Sequence, residues 1–305
     1  MALIKAVGLG KTYGSTRAVN NLSFEVHPGS VTGFLGPNGS GKSTTMRLML
    51  GLDRGEGATT YDGRTFAELD HPMRHVGALL EAKPFHPTRH ARNHLRMLAA
   101  ANRIPNTRVD QVIEMVGLSS VSKGKPKKFS LGMGQRLGIA AALLGDPDTL
   151  ILDEPSNGLD PQGITWLRSL LKHLAGEGRS VFVSSHLLQE MAMLADELVV
   201  IGRGQMLANG AVADFISHSG LGTVEVRTPD GSVLAPAIEA LGAAITREGD
   251  SLVVSGVTAE QIGEAAHTAG ARLHQLVTRQ ATLEEAFLEA TGLSEEFRGS
   301  TGDVA

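Results

Sequence analysis

The sequence predicts an α/β fold with a largely parallel sheet, followed by a smaller α+β unit. Three observations carry that reading. Between residues 149 and 201 short apolar runs alternate with helical patterns, as a sheet covered on both faces requires. A glycine-rich loop stands between a buried strand and a helix, the setting of a phosphate-binding turn. After about residue 217 a second rhythm begins in the order βαββαβ, a ferredoxin-like order. At roughly 100–200 residues per domain, the 305 residues suit two domains, read as 1–217 and 218–305.

Each element has its local reason. Residues 22–26 alternate in and out and end at His27-Pro28-Gly29, a strand and its turn. Residues 31–35 are an apolar run that stops at Gly36-Pro37-Asn38-Gly39-Ser40-Gly41, and a helical pattern opens at Lys42 with Met46, Leu48, Met49 and Leu50. Asp62-Gly63 reads as a hairpin turn, and 75–80 as another buried strand. Helix-period stretches at 94–102 and 109–116, separated by Pro- and Gly-containing loops, predict a helical insertion at about 84–145.

Strands at 149–152, 180–183 and 197–201 then alternate with helices at 161–175 and 187–194. Beyond them come a strand at 223–227, a helix at 234–241 and a hairpin of 244–248 with 251–254 about Gly249-Asp250. A helix at 259–269 follows Thr258 as N-cap, a strand at 273–278 closes the unit, and a last helix at 282–291 precedes a tail from Gly299.

Composition narrows the function classes. With 28 basic against 32 acidic residues the net charge is −4, so the basic excess of a nucleic-acid binder is missing and no nucleic-acid partner is expected. The absence of cysteine excludes a disulfide framework, thiolate chemistry and a Cys-ligated metal. No apolar run reaches the ~18 residues a membrane helix needs, and the first residues lack the apolar core of a signal peptide. The expectation is a soluble chain. The basic run 123–128, the histidines His86, His90 and His94, and Trp166 read as solvated faces and core rather than chemistry.

Two segments carry chemistry. Gly36 to Ser43 satisfies G-x-x-x-x-G-K-[ST] without exception. Its glycines let backbone N–H groups turn inward, and the helix behind adds its positive end, so the loop cradles an anion. Lys42 would reach the β- and γ-phosphates of a nucleotide, and the Ser43 hydroxyl would ligate Mg²⁺. Asp153 and Glu154 stand just past the apolar run 149–152, at the sheet edge where ligands bind. Asp153 suits Mg²⁺; Glu154 suits a general base for an attacking water. His186 ends the apolar run 181–185, so the same edge would bring it to the γ-phosphate.

Together these residues resemble the ATP-binding subunit of an ABC transporter, over most of residues 2–216. The resemblance implies a P-loop NTPase domain of the ABC type with an inserted helical subdomain. It makes Tyr13 the adenine-stacking aromatic with Val19 beside it, and Gly36 to Thr44 (with Pro37, Asn38, Gly39, Ser40, Gly41) the Walker A loop. Asp153 and Glu154 become the end of Walker B, Asp160 the end of the D-loop, and His186 the switch histidine. Phe129-Ser130-Leu131-Gly132-Met133-Gly134-Gln135 is similar to the family's Leu-Ser-Gly-Gly-Gln signature, which implies nucleotide contacts for Ser130, Gly132 and Gln135. Leu131 stands where a second glycine is usual. Glu81 stands where the family has its Q-loop glutamine, and could hold Mg²⁺ or water.

That last substitution is similar to bacitracin-resistance and lantibiotic self-protection subunits. The resemblance therefore implies an ATPase on the cytoplasmic face of a membrane, paired with a second nucleotide-binding subunit and a separate permease, exporting an antibiotic-like or lipid-linked substrate. Two other readings stay open: a non-transport ABC ATPase acting on DNA or the ribosome, and an ATPase whose residues 222–278 sense a small molecule. Long coiled-coil heptads would favour the former, and none occur between the phosphate loop and the signature.

Overall fold

The computed structural model describes residues 3–81, 85–218, 222–248, 251–279, 282–285 and 287. Its contacts divide the chain into two units, Met1–Gly210 and Ala211–Ala305.

The first unit opens with a long antiparallel pair, β1 (Ile4–Tyr13) and β2 (Thr16–Val26). The pairing shifts register between Ala6 and Leu9, so the inward set passes from Ile4 and Ala6 to Leu9. This bulge breaks the two-residue period, which is why β1 is illegible in sequence. Next come β3 (Val31–Leu35), buried throughout, and α1 (Lys42–Met49). The hairpin of β4 (Glu56–Tyr61) and β5 (Arg64–Thr65) turns on Asp62 and Gly63, both at positive φ (48° and 80°), as a tight primed turn demands. After β6 (Val76–Leu79), α2 (Ala91–Ala101), α3 (Asn106–Met115) and α4 (Leu131–Ala142) pack on one another and bury Leu95, Val112 and Leu137.

The chain then alternates through β7 (Thr149–Leu152), α5 (Pro161–Gly176), β8 (Ser180–Ser185), α6 (Leu188–Leu194), β9 (Glu197–Gly202) and β10 (Gln205–Ala211). These strands join β3 and β6 in the order β10-β9-β3-β8-β7-β6, parallel from β9 to β6. The antiparallel sheet, order β2-β1-β4-β5, meets it through Phe24, Phe34 and Phe182, whose ring centroids lie 5.0–5.9 Å apart. With both faces covered, β3, β7 and β8 read as continuous apolar runs rather than alternating ones.

In the second unit α7 (Val212–His218) precedes β11 (Thr223–Arg227), α8 (Gly231–Glu239), β12 (Ala244–Glu248), β13 (Ser251–Ser255), α9 (Ala259–Ala269) and β14 (Gln275–Arg279). The sheet order is β12-β13-β11-β14 with every neighbour antiparallel. Val224, Val226, Leu252 and Val254 bury one sheet face against Leu234 and Ile238 of α8 and Ile262 and Ala266 of α9. The expected turn tip Gly249-Asp250 and the tail from Gly299 lie outside the described residues, as does half of the expected helix at 282–291. Among the described residues no helix is long and apolar enough to cross a membrane.

Candidate nucleotide-binding site

The carboxyl ends of β3, β7 and β8 meet at one edge, and their loops build the site. Gly36 and Gly41 are required by close approach. A Cβ at Gly36 would overlap the Ile201 carbonyl, and one at Gly41, whose φ is 108°, would overlap the Ala18 carbonyl. Thus the loop between β3 and α1 is pinned from β1–β2 on one side and β9 on the other.

Lys42 begins α1 with its ammonium donating to the carbonyls of Gly36 (2.6 Å) and Pro37 (3.3 Å), and 3.9 Å from Glu154 Oε1. Burial pushes its pKa below the ordinary lysine value, and the carboxylates of Glu154 and Asp153 oppose that shift. A desolvated ammonium held by two carbonyls is a cation ready to meet phosphate oxygens.

Asp153 leaves β7 with both oxygens engaged: Ser43 donates to Oδ2 and Ser184 to Oδ1, each at 2.5 Å. Glu154 has φ of 48°, a left-handed backbone for a non-glycine residue. That turn is held by its amide donating to Ser184 Oγ (2.8 Å) and by Gln135 Nε2 donating to its carbonyl (3.2 Å). Its carboxylate faces Lys42 and lies 2.8 Å from His186 Nδ1. Strain of this kind persists where the surroundings over-determine it.

A cavity of about 230 Å³ is lined by Ala18, Asn38, Gly39, Gly41, Lys42, Ser43, Thr44, Asp153 and Glu154. The loop, both carboxylates and, through Glu154, His186 and Gln135 are therefore brought together. Ser40 is buried, and Val19 is wholly buried beside Gly41 in the core. Tyr13 stands half-exposed, its hydroxyl donating to Asp53 (2.8 Å), which also takes Arg47 (3.0 Å). Glu81 is exposed, and its charge acts on Arg47. Ser130 N-caps α4 by accepting from the Met133 amide (3.1 Å), and Asp160 N-caps α5 by accepting from Gly163 (2.9 Å). Tyr13, Glu81, Ser130, Gly132 and Asp160 do not line the cavity.

The donor set suits Mg²⁺. Ser43 Oγ and the Asp153 carboxylate are hard oxygens, the ligand type this ion takes alongside substrate phosphates. Among the described residues no group of three His, Cys, Asp or Glu could hold a metal ion.

Two features escape sequence reading. Ser184 bridges Asp153 and the Glu154 amide, and the only sequence signal is a hydroxyl ending an apolar run. Gly158, with φ of 77°, lies under Leu131: a Cβ there would fall inside the Leu131 side chain. Leu131 and Gly158 are 27 positions apart, so no local pattern links them.

A parallel sheet whose edge holds a glycine cradle, a buried lysine and a strand-end carboxylate pair is the site of a P-loop nucleotide-binding protein. Comparison with known proteins makes the class specific. Residues 19–157 match the ABC transporter family, and residues 222–284 match a domain of unknown function. An uncharacterized ABC transporter ATP-binding protein of Bacillus subtilis, YhcH, is 35% identical over 290 residues, 91% of this chain and 92% of the relative. The bacitracin transport ATP-binding protein BcrA of Bacillus licheniformis is 42% identical over 67% of this chain and 68% of its own length. The lantibiotic transport ATP-binding protein SrtF of Streptococcus pyogenes is 36% identical over 67% and 89% respectively. A solved ATP-binding subunit of an ABC transporter superposes with a TM-score of 0.65 at 27% identity, covering 72% of this chain and 94% of that one. The chain belongs to the ABC transporter ATP-binding proteins and is an ABC transporter ATPase.

Proposed function

We propose that this chain hydrolyses ATP to drive a separate membrane permease that exports an antibiotic-like or lipid-linked substrate, working as a pair on the cytoplasmic face. The observation that carries the reading is the Lys42–Glu154–His186 constellation over Asp153 and Ser43. The triphosphate lies in the cradle of Gly36 to Thr44, with Lys42 on its β- and γ-phosphates. Ser43 and Asp153 would hold Mg²⁺, which would neutralise charge at the phosphate oxygens when bound. Glu154 accepts the proton of the attacking water, and His186 orients its carboxylate. Glu81 and Tyr13 stand outside this set: Tyr13 offers its exposed face to the adenine, with Val19 backing the loop, and Glu81 stands in for the Q-loop glutamine.

The position of Ser130 and Gly132 away from the cavity supports a head-to-tail dimer, in which Ser130 and Gly132 serve the nucleotide held by the other copy and Asp160 borders the shared surface, whereas Gln135, buried on its own Glu154 carbonyl, does not reach it. ATP then acts as a ligand for the closed pair, and hydrolysis removes the bias. Export of a bacitracin- or lantibiotic-like molecule is supported by the kinship with BcrA and SrtF, whose names record such transport. We carry the domain division as 1–217 and 218–305, the helical subdomain as 84–145 and the C-terminal unit as ferredoxin-like, a reading supported by its strand order and antiparallel neighbours.

The test is Glu154→Gln. The variant should retain ATP while turnover falls by roughly 10²-fold or more. Turnover near that of the unaltered chain would remove Glu154 from the role of base.

A further inference from the structure

The second unit holds a cavity larger than the nucleotide site, about 490 Å³ against 230 Å³. It lies at the end of the sheet where β11 gives way to α8, and its lining is dominated by cations and hydroxyls. Arg227 comes from the end of β11, Arg247 from β12 and His274 from the approach to β14, with Thr228 and Ser232 between them. The backbone is braced there: the His274 amide donates to the Arg227 carbonyl at 2.8 Å.

Among the described residues neither arginine has an ion pair. Asp230, next to the lining residues Pro229 and Gly231, accepts from the backbone N (3.0 Å), Nε (2.9 Å) and Nη2 (3.0 Å) of Arg272, and its charge also acts on His274. That pairing holds the Asp230 pKa well below the usual carboxylate range. Glu225, on the same sheet face as Arg227, accepts from Ser251 Oγ at 3.1 Å. Because Asp230 is turned toward Arg272, it gives α8 no side-chain cap, and the amides of Gly231 and Ser232 have no acceptor among the described residues.

We propose that this cavity binds an organic phosphate, its phosphoryl group held by the guanidinium groups of Arg227 and Arg247, with His274 and the Ser232 hydroxyl around it. Planar guanidinium pairs suit phosphate geometry, and the volume exceeds what an inorganic ion fills, falling in the range of small-molecule sites. A soluble phosphate ester and a phospholipid headgroup both present this group. The inference concerns residues 227–274 alone and stands apart from the nucleotide site.

The experiment uses the full chain with its nucleotide site filled by Mg²⁺ and a non-hydrolysable ATP analogue. Calorimetric titration with glycerol 3-phosphate tests the soluble source. Sedimentation with phosphatidylcholine vesicles, with and without phosphatidylglycerol, tests the lipid source. Binding in either arm should weaken by about tenfold or more in the Arg227→Gln/Arg247→Gln variant, while affinity for the ATP analogue is unchanged. That readout separates this failure from failure of the ATPase reading, and an unchanged thermal unfolding transition of the C-terminal unit shows the variant folded. Absence of binding in both arms overturns the proposal. So does binding indifferent to the two substitutions, or inorganic phosphate binding as tightly as the ester, which would mean an adventitious ion only.

Discussion

Leu131 and Gly158 show how a departure at one residue is answered at another. Leu131 stands where the family resemblance leads one to expect glycine, and its side chain fills the space a Cβ at Gly158 would take. Gly132 approaches the Gly158 carbonyl just beside it, and Gln135 bonds the Glu154 carbonyl. The amino end of α4 is thereby keyed to the turn that bears Glu154. Gly158→Ala should therefore reduce ATP turnover, and Leu131→Gly added to it should restore the part due to overlap. What remains is left-handed backbone strain of about 1 kcal/mol. A coupling on the order of 1–2 kcal/mol is expected in the double-mutant cycle; strictly additive losses would show that the two side chains act independently. Legibility at this scale was uneven. Lys42, Ser43, Asp153 and Glu154 were visible because each lies within a short contiguous motif. Ser184 and Gly158 were not, because their partners come from other strands and helices.

Elements behave differently, since their boundaries follow local chemistry. The strand β3, the helix α5 behind its Asp160-Pro161 start and the helix α9 behind Thr258 all fall where turn and cap signals stand. Thr258 completes a reciprocal cap: its Oγ1 accepts from the Gln261 amide (3.3 Å), and its own amide donates to Gln261 Oε1 (2.9 Å). Thr258→Ala should lower the stability of the C-terminal unit by ~1 kcal/mol, seen as an earlier thermal unfolding transition with ATP turnover unaltered. An unchanged transition would mean that α9 is held by Ile262 and Ala266 alone. Where β1 was missed and the extent of α4 was not read, the cause is equally local. A bulge splits the inward set of β1, and Gly132, Gly134 and Gly138 thin the apolar stripe of α4.

For the whole molecule, the separation of Ser130 from the cavity makes a specific demand on assembly. With hydrolysis blocked by Glu154→Gln, Mg²⁺ and ATP should drive the chain to a dimer in size-exclusion chromatography with light scattering. Lys42→Ala, which removes the ammonium from the cradle, should leave it monomeric at the same concentration. A dimer that forms equally with and without ATP would separate assembly from nucleotide.

What the amino-acid sequence determined by itself was the nucleotide chemistry and the alternation of strands and helices. Both are encoded over short spans, by backbone freedom at glycine, by caps and by apolar period. Tertiary structure alone decided which distant groups complete that chemistry, Ser184 under Asp153, His186 on Glu154 and Leu131 over Gly158, and that two arginines line one hollow in the C-terminal unit. Such meetings depend on strand order and crossover connections, which bring together side chains that no local spacing relates.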